Sequence, residues 1–377
     1  MADSGKNLTG GRMSNIELLR IVAMIMIIAY HIPIHLNFVC PAHTITVSQL
    51  WNQFILMGGK TGVNIFVLIS GYFLIDSKGI KISKIIKLWL QIFTYSVLIY
   101  IIFTISGLES FSVKSFIKCM LPITYEGWWF AGTYFVLYLI SPFINIFLKT
   151  LDKKNYQRFL AVVLILWCLI PTVTGKEFEG NNLLWFICLY SVAAYIRLWH
   201  DESGISLKSK KSLELIGSAK LSKLTKWYFG IALLLIVLTF LMVVGLDFFG
   251  VQIADLSAHA HLYEMNRLPV FLIALFMFLG FKGLNIHYNK VINLIASATF
   301  GVYLIHDSKS VSWFLWIVLF SNIDGWEKMI LPYSIVAVCL VFIICTCIEL
   351  IRIFLLERHY MKIMDNMKII NKKEPLP

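Results

Sequence analysis

What this chain lacks narrows its class before any motif is considered. Charged residues make up only 14% of its 377 residues, where a soluble domain carries roughly 25%. Long polar stretches are missing too: the longest, Arg197 to Lys226, is too short for a soluble domain. Cysteine is sparse, 7 in all, with no CxxC pair and no Cys/His spacing suited to a metal. No G-x-S-x-G, Walker loop, H-E-x-x-H or GxGxxG stands in a usable context. With a mean hydropathy of +0.78, a water-soluble enzyme is excluded.

What is present is apolar. Hydrophobic residues are 59% of the chain, and several runs reach the roughly 20 residues that cross a bilayer core. The predicted spans are 15–37, 51–75, 85–106, 129–148, 159–173, 182–199, 227–249, 267–283, 291–320 and 329–356. The expected fold is therefore all-α, a polytopic membrane bundle of about ten transmembrane helices. The ninth run holds His306-Asp307-Ser308-Lys309 between two apolar pieces, which fits a broken helix, two half-spans or one long tilted helix. The first run keeps Glu17 and Arg20 and has no clear cleavage site, so it reads as an uncleaved first helix. Residues 1–13 read as a disordered cytoplasmic N-tail, 14–358 as one transmembrane domain, and 359–377 as a basic cytoplasmic C-tail.

Charge sets the direction. Lys and Arg number 33 against 21 Asp and Glu, a formal net charge of +12. With both termini and the alternate loops in the cytoplasm, 25 of those 33 fall on one side, as the positive-inside rule requires. That distribution argues against a nucleic-acid partner. The run Lys208-Ser209-Lys210-Lys211 reads as a contact to lipid headgroups. Cys168, Cys188, Cys339, Cys345 and Cys347 lie in apolar runs and read as small core residues, while Cys40 and Cys119 fall in outer loops where a disulfide could form. Ala258-His259-Ala260-His261 offers two imidazoles without a third ligand, a poor metal site.

Ionisable groups inside a membrane domain are costly, so each is a candidate for function. In the first span Arg20 and His31 are eleven residues apart, about 20° past three full turns and roughly 16 Å along the axis, hence on one helix face. Glu17 and His35 lie near the same stripe. A Glu17–Arg20 ion pair with a packing histidine is the plain alternative. The second span carries Gly58, Gly59, Gly62 and Asn64, which suit either close helix contact or a ligand-lining wall. By depth, His31, Asn64 and His306 reach one level, which suggests a buried polar cavity. Lys81, Lys84 and Lys87 share a face at i, i+3 spacing. They suit phosphate binding from the cytoplasm or plain positive-inside anchoring.

Four segments together resemble a known family. Arg20-x10-His31 resembles the first-span signature of the acyltransferase-3 family of integral membrane acyltransferases. The segment from Phe66 to Ser70-Gly71 is similar to its second-span motif. Trp128-Trp129-Phe130 with Tyr134, Tyr138 and Ser141-Pro142 is similar to its fourth-span region, and Phe300-Gly301-Val302-Tyr303-Leu304-Ile305-His306 to its late Gly-x-Tyr-Leu-x-His stretch. The resemblance implies transfer of an acetyl or other short acyl group from cytoplasmic acyl-CoA to a cell-envelope glycan. It implies His31 as catalytic base and Arg20 as its basic companion, and Glu17 on the same stripe joins them as a catalytic candidate. Acyl-CoA would bind near Arg20 and the Lys81, Lys84 and Lys87 edge, where the family has arginines. Asn64, Ser70, Trp129, Tyr138 and His306 would line the acceptor cavity.

The expected function is thus a membrane O-acyltransferase of the bacterial inner membrane, with acetyl-CoA or another short acyl-CoA as co-substrate and no tightly bound cofactor or metal. Its partners would be acyl-CoA, a surface polysaccharide or lipid-linked precursor, and membrane lipids, with the oligomeric state open. Both direct transfer with His31 as general base and an acyl-histidine route fit. The main rival is a proton-coupled transporter of a carbohydrate or small anion.

Overall fold

The computed structural model describes residues 13–35, 38, 40–77, 79, 81–125, 127–178, 180–200, 213–320 and 329–366. The chain begins with three helices of membrane length, α1 (Ser14–His35), α2 (Val47–Leu74) and α3 (Ile82–Ile105). Short α4 (Val113–Cys119) and α5 (Pro122–Tyr125) lead to α6 (Trp129–Thr150). Then α7 (Lys153–Leu164) passes through a π-helical turn into α8 (Ile170–Thr174), followed by α9 (Asn182–Tyr195) and α10 (Leu213–Phe248). A hairpin of β1 (Gln252–Ile253) and β2 (Leu256–Ser257) precedes α11 (Ala258–Leu262) and α12 (Leu268–Lys282). The chain closes with α13 (Lys290–His306), α14 (Lys309–Trp313), α15 (Ile330–Arg352) and α16 (Arg358–Asn366).

The all-α polytopic bundle is what the apolar runs required. Among the described residues, eight helical stretches are long and apolar enough to cross a membrane. A ninth is the pair Lys290–His306 and Lys309–Leu319, bent by 77°. That resolves the ninth run as a broken helix. Ser308 makes the break, because its side chain accepts from Val311 N and starts a new helix. The predicted eighth span is α12, whose 15 residues extend about 22 Å at 1.5 Å per residue. Helices also begin earlier than the apolar runs. Asp152 caps α7 by accepting from Asn155 N, so the polar Lys153 and Lys154 are already helical.

Successive spans alternate in direction, and polar contacts tie like ends together. At one end Ser14 Oγ donates to Asn293 Oδ1 (3.2 Å), Asn15 donates to the carbonyls of Phe281 and Lys282, and Arg197 pairs with Asp76 at 2.8 Å. The same end holds a buried ion network. Glu349 accepts both forks of Arg352 (2.7 and 2.8 Å), Gln91 Nε2 (2.9 Å) and the Tyr95 hydroxyl (2.5 Å), while Arg352 and Lys87 both pair with Glu357. A carboxylate so fully paired is tolerable in a low-dielectric interior. At the opposite end Gln53 meets Asp247 and Arg267 meets Glu177. Arg197, Lys87 and Arg352, counted at the cytoplasmic side from the sequence, all lie at the first of these ends.

Glycine lets α2 sit at the centre. A Cβ on Gly62 would lie 2.7 Å from the Ala23 carbonyl, and one on Gly59 would lie 2.1 Å from the Tyr30 ring. Gly71 likewise meets the Tyr190 backbone of α9 at 2.7 Å. Gly62 and Gly71 serve close helix contact, while Gly59 both packs against Tyr30 and lines the cavity that holds His31. Cysteine needs two corrections. Cys40 and Cys119 are free thiols, and Cys339 and Cys347 are exposed on the outside of the bundle rather than packed in the core. The tail at 1–12, the run at 208–211 and residues 367–377 lie outside the described residues.

Candidate active site

His31 is carried by α1 into a cavity of about 280 Å³ between α1, α2, α6 and α13. Its wall includes His35, Lys60, Trp129, Tyr303 and Asp307. The broken helix is what delivers Asp307. α13 ends at His306, and Asp307 still donates its backbone N–H to Tyr303 while its side chain leaves the helix end. Asp307 Oδ1 stands 3.4 Å from His31 Nε2. The other ring nitrogen, His31 Nδ1, is buried and has no hydrogen-bond partner among the described residues. His31 thus has a carboxylate near one ring nitrogen and its other ring nitrogen unengaged among the described residues.

Two further imidazoles pack on His31. His35 stacks on it with ring centres 5.6 Å apart and shares a 2.9 Å hydrogen bond with Ser312 Oγ. His306 meets it edge-on at 5.3 Å. His306 Nδ1 donates to the Val302 carbonyl at 2.6 Å, which holds the ring behind His31 rather than on the cavity wall. Among the described residues no three His, Cys, Asp or Glu side chains converge as a metal-ligand set.

The structure divides the other sequence-derived residues. Trp129 lines the cavity, with Lys60 Nζ 5.3 Å from its ring centre and 3.8 Å from Glu264. Asn64 does not line it. Its amide donates to the Met265 carbonyl and accepts from Trp185 Nε1, locking α2 to α9 and to the loop before α12. Ser70 bonds back to Phe66 O and meets the Tyr134 hydroxyl at 3.3 Å, also away from the cavity. Tyr138 is half-buried against the core and lies off the wall as well. Arg20 is buried with Glu17 at 3.8 Å, inward from the cavity. An aromatic column of Tyr134, Phe130 and Tyr303, with ring centres 5.9 and 5.3 Å apart, leads up from that level to His306.

The three lysines separate at the inner end. Lys81 is exposed at the start of α3, Lys84 is half-buried, and Lys87 pairs with Glu357. Lys87 lines a second cavity of about 290 Å³ with Gln91, Lys290, Asn293, Glu349 and Glu357. Two carboxylates among its walls make this a mixed-charge pocket rather than a purely cationic one.

A family model described as an acyltransferase domain matches residues 13–350, from the start of α1 to the end of α15. The chain belongs to the acyltransferase-3 family. It is a multi-pass membrane acyltransferase. No curated protein and no solved structure matches it. In this acyltransferase the cavity-wall residues that sequence reasoning did not assign to the site are Asp307, Lys60 and Tyr30, with Glu264 paired to Lys60. Asp307 had a signal, the polar break in an otherwise apolar ninth run. Lys60 had a weaker one, as a cation inside the second span.

Proposed function

We propose that this protein is an O-acyltransferase of the bacterial inner membrane. It takes an acetyl or other short acyl group from cytoplasmic acyl-CoA and places it on a hydroxyl of a surface polysaccharide or its lipid-linked precursor. The observation that carries the reading is the pairing of His31 with Asp307 in the wall of a buried cavity. Asp307 holds the proton-bearing Nε2, so the Nδ1 lone pair is available for a substrate proton. The acceptor hydroxyl gives that proton to Nδ1 and attacks the thioester carbon. The new C–O bond forms, the C–S bond breaks, and the coenzyme A thiolate leaves and takes up the proton. Asp307 steadies the imidazolium in between.

Acyl-CoA reaches this point from the inner end. Its phosphates meet Lys81, Lys84 and Lys87, the last exchanging Glu357 for phosphate, and its pantetheine arm passes Arg20 and Glu17. Trp129 and Lys60 face the acceptor. Direct transfer needs no second covalent intermediate, and the orphan Nδ1 is the atom it requires. The test is coenzyme A release by the purified full chain, given acetyl-CoA and polysaccharide isolated from a deletion strain. Release that depends on the polysaccharide, with acetyl appearing on the sugar by NMR, supports the reading. Acyl-independent movement of a sugar across vesicles, without coenzyme A release, would replace it with a transporter.

A further inference from the structure

A carboxylate–imidazole–hydroxyl chain sits at the end of the bundle where Gln53 meets Asp247, in residues the mechanism above does not use. The Asp247 side chain, 3% exposed near the end of α10, accepts from His259 Nδ1 at 2.7 Å, from Ala258 N at 2.8 Å and from Gln53 Nε2 at 2.7 Å. With Nδ1–H committed to Asp247, His259 Nε2 is the acceptor nitrogen, and it lies 3.3 Å from Ser257 Oγ. Carboxylate, imidazole and hydroxyl in that order are the parts of a nucleophilic triad, recognised by geometry rather than by sequence position.

The segment that carries them is firmly held. Ala254 and Asp255 both adopt positive φ (50° and 63°) in the two-residue turn joining β1 to β2. Gly175, itself at φ 70°, leaves room for that turn, since a Cβ there would lie 2.2 Å from the Ala254 Cβ. His261 Nε2 is hydrogen-bonded to the Thr172 carbonyl at 3.1 Å, which pins α11 to the end of α8. Ser257 itself is half-buried. His259 also lines a cavity of about 400 Å³ that shares Tyr30, Ile34 and Lys60 as walls with the His31 cavity.

We infer that Ser257, His259 and Asp247 form a second acyl-transfer station on the outer side, which accepts a short-chain acyl ester and holds it as an acyl-serine. Ser257 Oγ attacks the ester carbonyl carbon while its proton passes to His259 Nε2. The ester C–O bond breaks, and His259 returns the proton to the departing alkoxide. An acceptor hydroxyl then attacks the acyl-serine, gives its proton to His259, and Ser257 Oγ leaves and takes that proton back. The net change is an acyl group moved between two alcohols, with no further reactant. This stands on its own geometry and does not require the inner donor to be acyl-CoA.

The test is a fluorophosphonate probe applied to the purified full chain, read by peptide mass spectrometry. The phosphorus–oxygen bond forms at Ser257 as fluoride leaves, without any acyl donor. Labelling at Ser257 is expected, abolished in Ser257→Ala and slowed about 10²–10⁴-fold in His259→Ala, with both variants retaining the wild-type thermal midpoint within a few degrees. Failure of the acyl-CoA reading leaves this outcome untouched. An unlabelled Ser257 in folded wild-type protein would overturn the inference, as would equal labelling of Ser257→Ala, and Asp247–His259 would then be a structural tie only.

Discussion

His31 and Asp307 come from opposite ends of the chain, and their meeting at 3.4 Å is the least accidental feature of the site. An aspartate in an apolar bundle costs several kcal/mol unless it is partnered or solvated. Asp307 does both, at the cavity wall and beside an imidazole. Asp307→Asn keeps the size but loses the charge that orients His31. It is expected to lower kcat about 10²–10⁴-fold with the acyl-CoA KM unchanged. Steady-state kinetics on purified protein decide this, and a near-wild-type kcat would remove Asp307 from the mechanism. At this scale sequence reasoning singled out His31 by its rarity in mid-span, and the structure puts it on a cavity wall that Asn64 and Ser70 do not line. Depth along a helix follows from a fixed rise per residue. Facing depends on neighbours that no single run of sequence names. Asn64 turns to Met265 and Trp185, and Ser70 to its own helix.

Elements were legible where composition alone sets them. Over their described residues the apolar runs are helical, the ninth in two pieces, because a backbone in hydrocarbon must satisfy its own hydrogen bonds. Polar caps such as Asp152 and Thr46 extended those helices past the apolar runs, which is why their starts were less legible. Helix contacts can be tested at the α1–α2 crossing. Gly62→Val would push a side chain against the Ala23 carbonyl at 2.7 Å and Ile27 Cγ1 at 2.9 Å, for an expected loss of about 1–3 kcal/mol. Gly58→Ala, whose nearest neighbour is Met26 Cβ at 3.4 Å, is expected to leave the thermal midpoint within about a degree or two. Equal tolerance of both would mean the helices do not pack this closely. At the start of α3, neutralising Lys84 and Lys87 together is expected to weaken acyl-CoA binding about tenfold or more, and to weaken a phosphate-free pantetheine thioester much less. Equal losses for the two donors would leave these lysines as helix anchors.

For the whole molecule, charge asymmetry and the alternating direction of successive spans point the same way. The inner end joins Asp76 to Arg197 and Lys87 to Glu357, and these are the loops and helix ends assigned to the cytoplasm. Single cysteines placed after α2, after α6 and in the loop before α10 are expected to resist an impermeant thiol reagent in intact cells. Labelling of the loop before α10 from outside would overturn the topology. What the sequence could not supply was the order of helices around the bundle, since lipid-facing and protein-facing surfaces are equally apolar here. The broken helix was readable as a polar interruption, yet its 77° turn and its reach to α1 are properties of packing.

The most direct test of the acyl-transfer mechanism is coenzyme A release by purified His31→Ala protein, given acetyl-CoA and polysaccharide from the deletion strain. Release at the level of a protein-free control, with acetyl-CoA binding and thermal midpoint retained, is the expected result. Substantial transfer by that variant would contradict the mechanism outright.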